Sequence, residues 1–150
     1  MGRTYEEFEI GQRFETPRRT VSAADIDSFA SLTADFNPVH MDDVFAAQSG
    51  FEGRIGHGPM IVGMAFGLGS RGDVMDGTVL ALLEINWKFV KAVRPGDTIA
   101  AVFTVLDKRE TRAPDRGVVT LQIEVLNQHG DVAQTGTAKT LIRRKDARSG

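Results

Sequence analysis

Residues 58–69 read GPMIVGMAFGLG, and this stretch decides the fold. Its side chains are apolar almost all round, which is typical of a helix that is buried on most sides. Pro59 suits the first helical turn, because the N–H that proline lacks would have no partner there. Gly63, Gly67 and Gly69 each weaken a helix by roughly 1 kcal/mol relative to alanine. We therefore expect other backbone to pass close to this helix.

The C-terminal half of the chain predicts the strands that cover this helix. Apolar residues recur at strand spacing over residues 79–93, 98–108, 118–127 and 132–142. Turn signals separate these segments, among them Pro-Gly-Asp at residues 95–97. One antiparallel sheet wrapped around one central helix buries the apolar faces of both elements. The sequence therefore predicts an α+β fold.

The N-terminal half predicts smaller elements. Ser22 is a good N-cap, and Asp25 completes a capping-box-like pair for a helix that ends near Thr33. A second, short helical pattern covers residues 42–50, and residues 7–20 alternate as extended chain around a turn at Gly11.

Size and composition predict one soluble domain over residues 1–150, with a polar tail from about residue 144. The formal net charge is −2, which argues against nucleic-acid binding. The sequence contains no cysteine, so disulfides, thiolate metal sites and a cysteine nucleophile are excluded. The longest apolar run is too short to span a bilayer, and nothing resembles a signal peptide. We expect a cytoplasmic protein without membrane contact.

Residues 35–40 read DFNPVH and carry the strongest chemical signal. Aspartate and histidine are the side chains most often used to move protons near neutral pH. Pro38 fixes its own φ and disfavours the helical region for Asn37, so we predict a bent, rigid loop and no regular helix. His57 and Gly58 precede the apolar helix. Together the two segments predict an acid–base pair facing a helix N-terminus.

Each of these residues also has a plainer interpretation. Asp35 can be a turn or capping residue, and His40 a partly buried structural histidine. His57 can be catalytic, loop-fixing or solvated, and we favour the loop-fixing role. Zinc or iron would accept Asp35, His40, Asp42, Asp43 and His57, but their spacing is not that of helix-paired ligands, so we expect no metal.

These two motifs, with residues 86–97 (NWKFVKAVRPGD), resemble the MaoC-like, (R)-specific enoyl-CoA hydratases and dehydratases of the hot-dog fold. The resemblance runs over about residues 5–142. It implies a hydro-lyase that adds water to a 2-enoyl-CoA or acyl-carrier thioester, or removes it from a 3-hydroxyacyl thioester, without a cofactor. It also implies a homodimer, with each active site at the subunit boundary.

The resemblance assigns roles to individual residues. Asp35 and His40 become the catalytic pair, Asn37 and Pro38 hold the loop, and the Gly58 N–H binds the thioester carbonyl. There are two departures from the family pattern. Ala34 stands where glycine is common, and Phe66 falls where some hydratases have a serine that bonds the aspartate.

Two further groups are candidates for contacting the substrate. Met60, Met64 and Phe66 can line a small acyl pocket, although core packing is the plainer interpretation of methionines on a helix face. Arg54, Lys88, Lys91 and Arg94 can meet the phosphates of a carrier, or be ordinary solvated surface.

Two other functions remain open: a hot-dog acyl-CoA thioesterase, and a non-catalytic acyl-thioester-binding subunit. Chain length, carrier and physiological direction are not predicted by the sequence.

Overall fold

The computed structural model describes residues 1–145. The elements follow one another as a 3-10 helix (Tyr5–Glu7), β1 (Arg13–Glu15), β2 (Arg19–Thr20), α1 (Ala23–Thr33), α2 (Pro38–Met41), α3 (Asp43–Gln48), α4 (Gly58–Ser70), β3 (Val79–Phe89), β4 (Thr98–Glu110), β5 (Arg116–Leu126) and β6 (Val132–Arg143). The predicted α+β class is confirmed.

The six strands form one antiparallel sheet with the order β1-β4-β5-β6-β3, and β2 also pairs with β4. The consecutive long strands β4, β5 and β6 pair along nearly their whole length, as predicted for one antiparallel sheet. Strand β3 crosses to the far side of β6 and forms that edge of the sheet. It ends at Phe89, short of the predicted residue 93, because the N–H groups of Val90 and Lys91 both donate to the carbonyl of Ala133.

One side of α4 packs into the concave face of the sheet. Met60, Ile61, Ala65 and Leu68 of α4 join inward residues of β4, β5 and β6 in a single core. Burying a side chain of this size contributes about 1.5–3 kcal/mol each. Gly69 is where the two layers approach most closely, since a Cβ there would lie 2.5 Å from the Phe103 ring.

The opposite side of α4 is open, which corrects the expectation of a helix buried on most sides. Gly63 and Gly67 are exposed, and apart from the neighbouring residues and the backbone of α4 itself, no atom of the described residues lies within 4 Å of a Cβ placed at either position. Strand β3 is similarly bare: most of its residues are exposed, including Leu82, Leu83 and Ile85. Among the described residues, an apolar helix face and the outer edge of β3 are therefore left uncovered.

The N-terminal predictions are confirmed for α1 and for the turn at Gly11. The Ser22–Asp25 capping box is present in both directions. Only β1 and β2 are strands in the preceding segment, because a 3-10 turn and a bend at Gly11 interrupt it.

The first residues of the C-terminal tail, Arg144 and Lys145, are held by hydrogen bonds to Glu6. The Arg144 side chain donates to Glu6 at 2.8 Å, and the Lys145 N–H donates to the same carboxylate at 2.9 Å. The tail expected from about residue 144 is therefore anchored through Lys145, and residues 146–150 lie outside the described residues. Within residues 1–145, no helix is long and apolar enough to cross a membrane.

Candidate active site

Asp35 sits in a sharp turn between α1 and α2. Ala34 ends α1 in the left-handed region, with φ of 62°. Asp35 Oδ1 accepts the N–H of Asn37 at 3.2 Å, and the carbonyl of Asn37 accepts the N–H of His40 at 2.9 Å. Pro38 begins the one-turn helix α2, which corrects the expectation of a loop without helix. A proline is accommodated there because N1 needs no N–H.

His40 is brought back towards Asp35 by this turn. The Nε2 of His40 lies 3.9 Å from Oδ2 of Asp35, beyond direct hydrogen-bond distance. The His40 side chain is 12% exposed and that of Asp35 50% exposed. His40 Nδ1 lies 2.8 Å from the carbonyl oxygen of Ile55. Because a carbonyl can only accept, Nδ1 carries a proton, and in a neutral ring Nε2 presents its lone pair towards Asp35.

His57 lies beneath both groups and is only 1% exposed. Its Nε2 is 2.9 Å from the carbonyl oxygen of Asp35, so Nε2 is the donor. Its ring stacks on that of His40, with centroids 3.8 Å apart and planes 26° apart. Nδ1 of His57 is buried and has no partner among the described residues. These contacts agree with the loop-fixing interpretation of His57.

Arg54 braces the same loop from the other side. Its Nε donates to the carbonyl of His40 at 2.6 Å, and its guanidinium pairs with Asp27 of α1. Its backbone N–H donates to Asp43 of α3 at 2.9 Å. The guanidinium is thus directed into the loop, contrary to the expectation that it faces a carrier phosphate.

The N-terminus of α4 offers a free backbone donor. The carbonyl of His57 accepts from the N–H groups of Met60 and Ile61, at 3.1 and 3.3 Å. The Gly58 N–H belongs to the same peptide group and therefore points away from the helix. Pro59 has no N–H, and within residues 1–145 the Gly58 N–H donates to no backbone carbonyl outside the helix. The positive end of the helix dipole favours negative charge there.

His40 and Gly58 line one cavity of about 340 Å³. Ile55, Ile61 and Phe89 provide much of its apolar wall. None of the expected acyl-pocket residues lines it. Met60 is buried in the core, Met64 and Phe66 pack against the core, and the Phe66 ring lies 6.1 Å from that of Trp87. Phe66 offers Asp35 no hydrogen bond.

A second groove of about 360 Å³ adjoins this cavity and shares Phe51, Lys91 and Ala92 with it. Lys91 and Arg94 both line the groove, and each is paired, with Asp131 at 3.0 Å and Glu52 at 2.5 Å. Lys88 lies elsewhere, in a polar depression with Asn86 and Thr135.

Asp35, His40 and His57 each place a ligand-type atom within 4.8 Å of the others. Two of the ring nitrogens already face carbonyl oxygens, of Ile55 and of Asp35 itself. A metal would find at most one free nitrogen on each ring, and Nδ1 of His57 is wholly buried.

Sequence reasoning missed Gln134, which lines the cavity and is 3% exposed. Its position in β6 shares an inward face with Ala138, Thr140 and Ile142. A long polar side chain at an inward position of a core strand was the signal that could have identified it.

The architecture defines the class: a hot-dog fold, in which an antiparallel sheet curves around one long helix. A Mycobacterium tuberculosis protein with a double hot-dog fold has a TM-score of 0.87 to this chain, covering 99% of this chain and 46% of that one. Its identity is 17%, so the likeness shows the fold alone.

Residues 6–127 of the sequence match the family model of the MaoC like domain, so the chain belongs to this family of hydratases and dehydratases. An (R)-specific enoyl-CoA hydratase from Aeromonas caviae is 34% identical over 133 residues, which are 89% of this chain and 94% of that protein. The solved MaoC-like dehydratase from Rhodospirillum rubrum is 30% identical, with a TM-score of 0.83, covering 97% of this chain and 99% of that one. The (R)-hydratase structure from A. caviae is also 30% identical, with a TM-score of 0.73 and coverage of 90% and 97%.

Proposed function

We propose that this protein is a hydro-lyase that hydrates 2-enoyl thioesters to (R)-3-hydroxyacyl thioesters, or catalyses the reverse dehydration. The observation that carries the proposal is the approach of Asp35 Oδ2 and His40 Nε2 to 3.9 Å. Gly58, whose N–H is the proposed oxyanion donor, lines the same cavity as His40. The named activity of the A. caviae relative supports the substrate class and the stereochemistry.

The separation of the two side chains suits one shared water molecule. A water about 2.8 Å from each atom fits across a 3.9 Å gap, whereas a direct hydrogen bond does not. Such a water can donate one hydrogen to the carboxylate of Asp35 and the other to the bare Nε2 of His40. Both lone pairs of the water oxygen then stay free, and one of them can be directed at the substrate.

The reaction forms a bond from the water oxygen to carbon 3 and a C–H bond at carbon 2. The proton that one side chain removes from the water is the proton that carbon 2 receives, so both side chains end as they began. Negative charge gathers on the thioester oxygen between the two steps. The Gly58 N–H stabilises that charge, and losing such a donor typically costs about 3 kcal/mol of barrier.

Loop geometry in this proposal depends on His57, Asn37 and Pro38. His57 holds the backbone of Asp35 and the ring of His40, while Asn37 closes the turn through its backbone groups. No metal or cofactor takes part in the proposed reaction.

The carrier of the acyl group reaches the groove next to the cavity. Lys91 and Arg94 line it, and their present ion pairs are partly exposed. Exposed pairs of this kind are worth about 0–1 kcal/mol, so a phosphate can replace the carboxylates at little cost. Replacing both Lys91 and Arg94 with alanine should weaken the binding of crotonyl-CoA more than the binding of crotonyl-pantetheine, which lacks the nucleotide.

The working unit in this proposal is a homodimer. The unpaired β3 edge and the open face of α4 are apolar surfaces that a second copy can cover. Light scattering should give a molar mass twice that of one chain. Leu83→Lys on β3 should lower this mass towards that of the monomer. Leu32→Lys, on a still more exposed apolar residue of α1, is the control. A wild-type monomer at assay concentration would refute the dimer.

The decisive test of activity is incubation with crotonyl-CoA. Loss of the enoyl absorbance without release of thiol supports hydration. Asp35→Asn and His40→Gln should each reduce kcat by about 10²–10⁴-fold, while Asp73→Asn, on an exposed turn, should not. Release of free thiol would indicate a thioesterase. Tight binding without turnover over a range of chain lengths would indicate a binding subunit.

A further inference from the structure

Gln134 is a buried polar side chain that touches both a tryptophan and the start of α4. Its Nε2 donates to the carbonyl oxygen of Gly58 at 3.2 Å. Its Oε1 accepts from Nε1 of Trp87 at 2.9 Å. A buried amide that makes both bonds has a single orientation, because an indole nitrogen can only donate and a carbonyl can only accept.

The sheet is built to hold the indole in this place. Trp87 of β3 is opposite Gly136 of β6, and a Cβ at Gly136 would lie 2.5 Å from the indole ring. Gly136 therefore leaves the room that the indole occupies. Phe89, opposite Gln134 in the same strand pair, places its ring against Gly58, where a Cβ would lie 2.8 Å away.

Gly58 needs such support because glycine has the least restricted backbone. The peptide group before it is held by the bonds to the His57 carbonyl, and the peptide group after it, which begins α4, is held from the sheet by Gln134. These two planes meet at the Gly58 Cα, so fixing both fixes the direction of the Gly58 N–H. An oxyanion donor is effective only when it is held in place before the charge develops.

We propose that Gln134 is a positioning residue, which is itself oriented by Trp87 and holds the Gly58 amide in the direction that the thioester oxygen needs. This inference rests on the proposed hydratase function. It assigns Gln134 an effect on the transition state that exceeds its effect on substrate binding. The fold accordingly supports the site from two sides: His57 from below the catalytic loop, and Gln134 from the sheet.

The test is Gln134→Met, which keeps the length of the side chain and removes both hydrogen bonds. With crotonyl-CoA we expect kcat to fall about tenfold to hundredfold, with KM changed by no more than about threefold. Trp87→Phe should lower kcat in the same direction and by less. The double variant should be no slower than Gln134→Met alone, because both changes act through one contact. Gln122→Met, in the polar depression beside Lys88, is the control.

The outcomes separate this inference from the proposed function. If the wild type does not hydrate crotonyl-CoA or longer enoyl-CoA substrates, the function and the inference both fall. If the wild type is active and Gln134→Met keeps kcat within twofold, or changes only KM, the inference is wrong and the function stands. If Gln134→Met fails to fold, Trp87→Phe tests the inference instead. An unchanged kcat in Trp87→Phe would refute the positioning role of Gln134.

Discussion

Replacing Ala34 with glycine should stabilise the protein. Ala34 has φ of 62° and is exposed, so the substitution relieves a left-handed backbone and removes no buried contact. This conformation costs an L-residue roughly 1–2 kcal/mol. Removing this cost stabilises the folded state. About 0.4–1 kcal/mol of the stabilisation is lost again, because glycine raises the conformational entropy of the unfolded chain. The free energy of unfolding should therefore rise by about 0.5–1 kcal/mol.

The matched control is the same substitution at Ala24, an exposed position in the first turn of α1. There glycine should lower the free energy of unfolding by about 0.5–1 kcal/mol, because it weakens a helix and relieves nothing. The two variants differ from the wild type by one identical methyl group, so opposite signs isolate the backbone conformation.

The assays are unfolding in urea and thermal unfolding, both followed by the fluorescence of Trp87 at one fixed protein concentration. The melting temperature should move by about 1–4 °C upward for Ala34→Gly and downward for Ala24→Gly. If both variants are destabilised to the same degree, Ala34 is not strained and the account of this turn is wrong. Turnover of Ala34→Gly should stay within a few-fold of the wild type, because Thr33 and Asn37 still close the loop.

Three other substitutions test separate parts of the structure. His57→Leu should lower kcat at least tenfold and the free energy of unfolding by about 1–3 kcal/mol, since it loses a buried bond and a stacked ring; an unchanged kcat would contradict the bracing role. Burial opposes ionisation of Glu6, but the Lys145 N–H and the Arg144 guanidinium outweigh it and lower its pKa from 4.5 to about 2. The stabilisation by Glu6 is thus fully present above pH 4.5 and is lost as the pH falls towards 2, so the wild type should exceed Glu6→Gln by about 1 kcal/mol at pH 7 and match it near pH 2. Gly69→Ala places a Cβ 2.5 Å from Phe103 and should cost about 1–3 kcal/mol in urea unfolding, whereas Ser70→Ala next to it should change less than about 0.5 kcal/mol.

The central helix and the long strands could be predicted from the sequence, because the spacing of apolar residues differs between a buried helix and a strand. The apolar stretch over residues 58–69 and the alternating segments after it gave α4 and the four long strands. The first twenty residues could not be read in the same way. Their strands are two and three residues long and are fixed by pairing with β4, which alternation cannot show.

The site was predictable where chemistry follows from local spacing, as for Asp35, His40 and Gly58. It was not predictable where the contact is made across the fold. Arg54 is drawn to the His40 carbonyl by the return of the chain from α3, and Gln134 reaches Gly58 from the last strand. The glycines of α4 illustrate the same limit, since one of them meets Phe103 and two face open space.

The bracing by Arg54 has a consequence for redesign. The Arg54 guanidinium binds Asp27 of α1 and the carbonyl of His40. The Arg54 backbone N–H binds Asp43 of α3, so this residue connects both helices to the catalytic loop. A six-residue motif transplanted to another scaffold would arrive without these anchors, and its aspartate and histidine would splay. Lysine at position 54 would be a poor substitute, because an ammonium cannot reproduce the planar fork. The portable unit is therefore the whole segment from α1 to the first turn of α4.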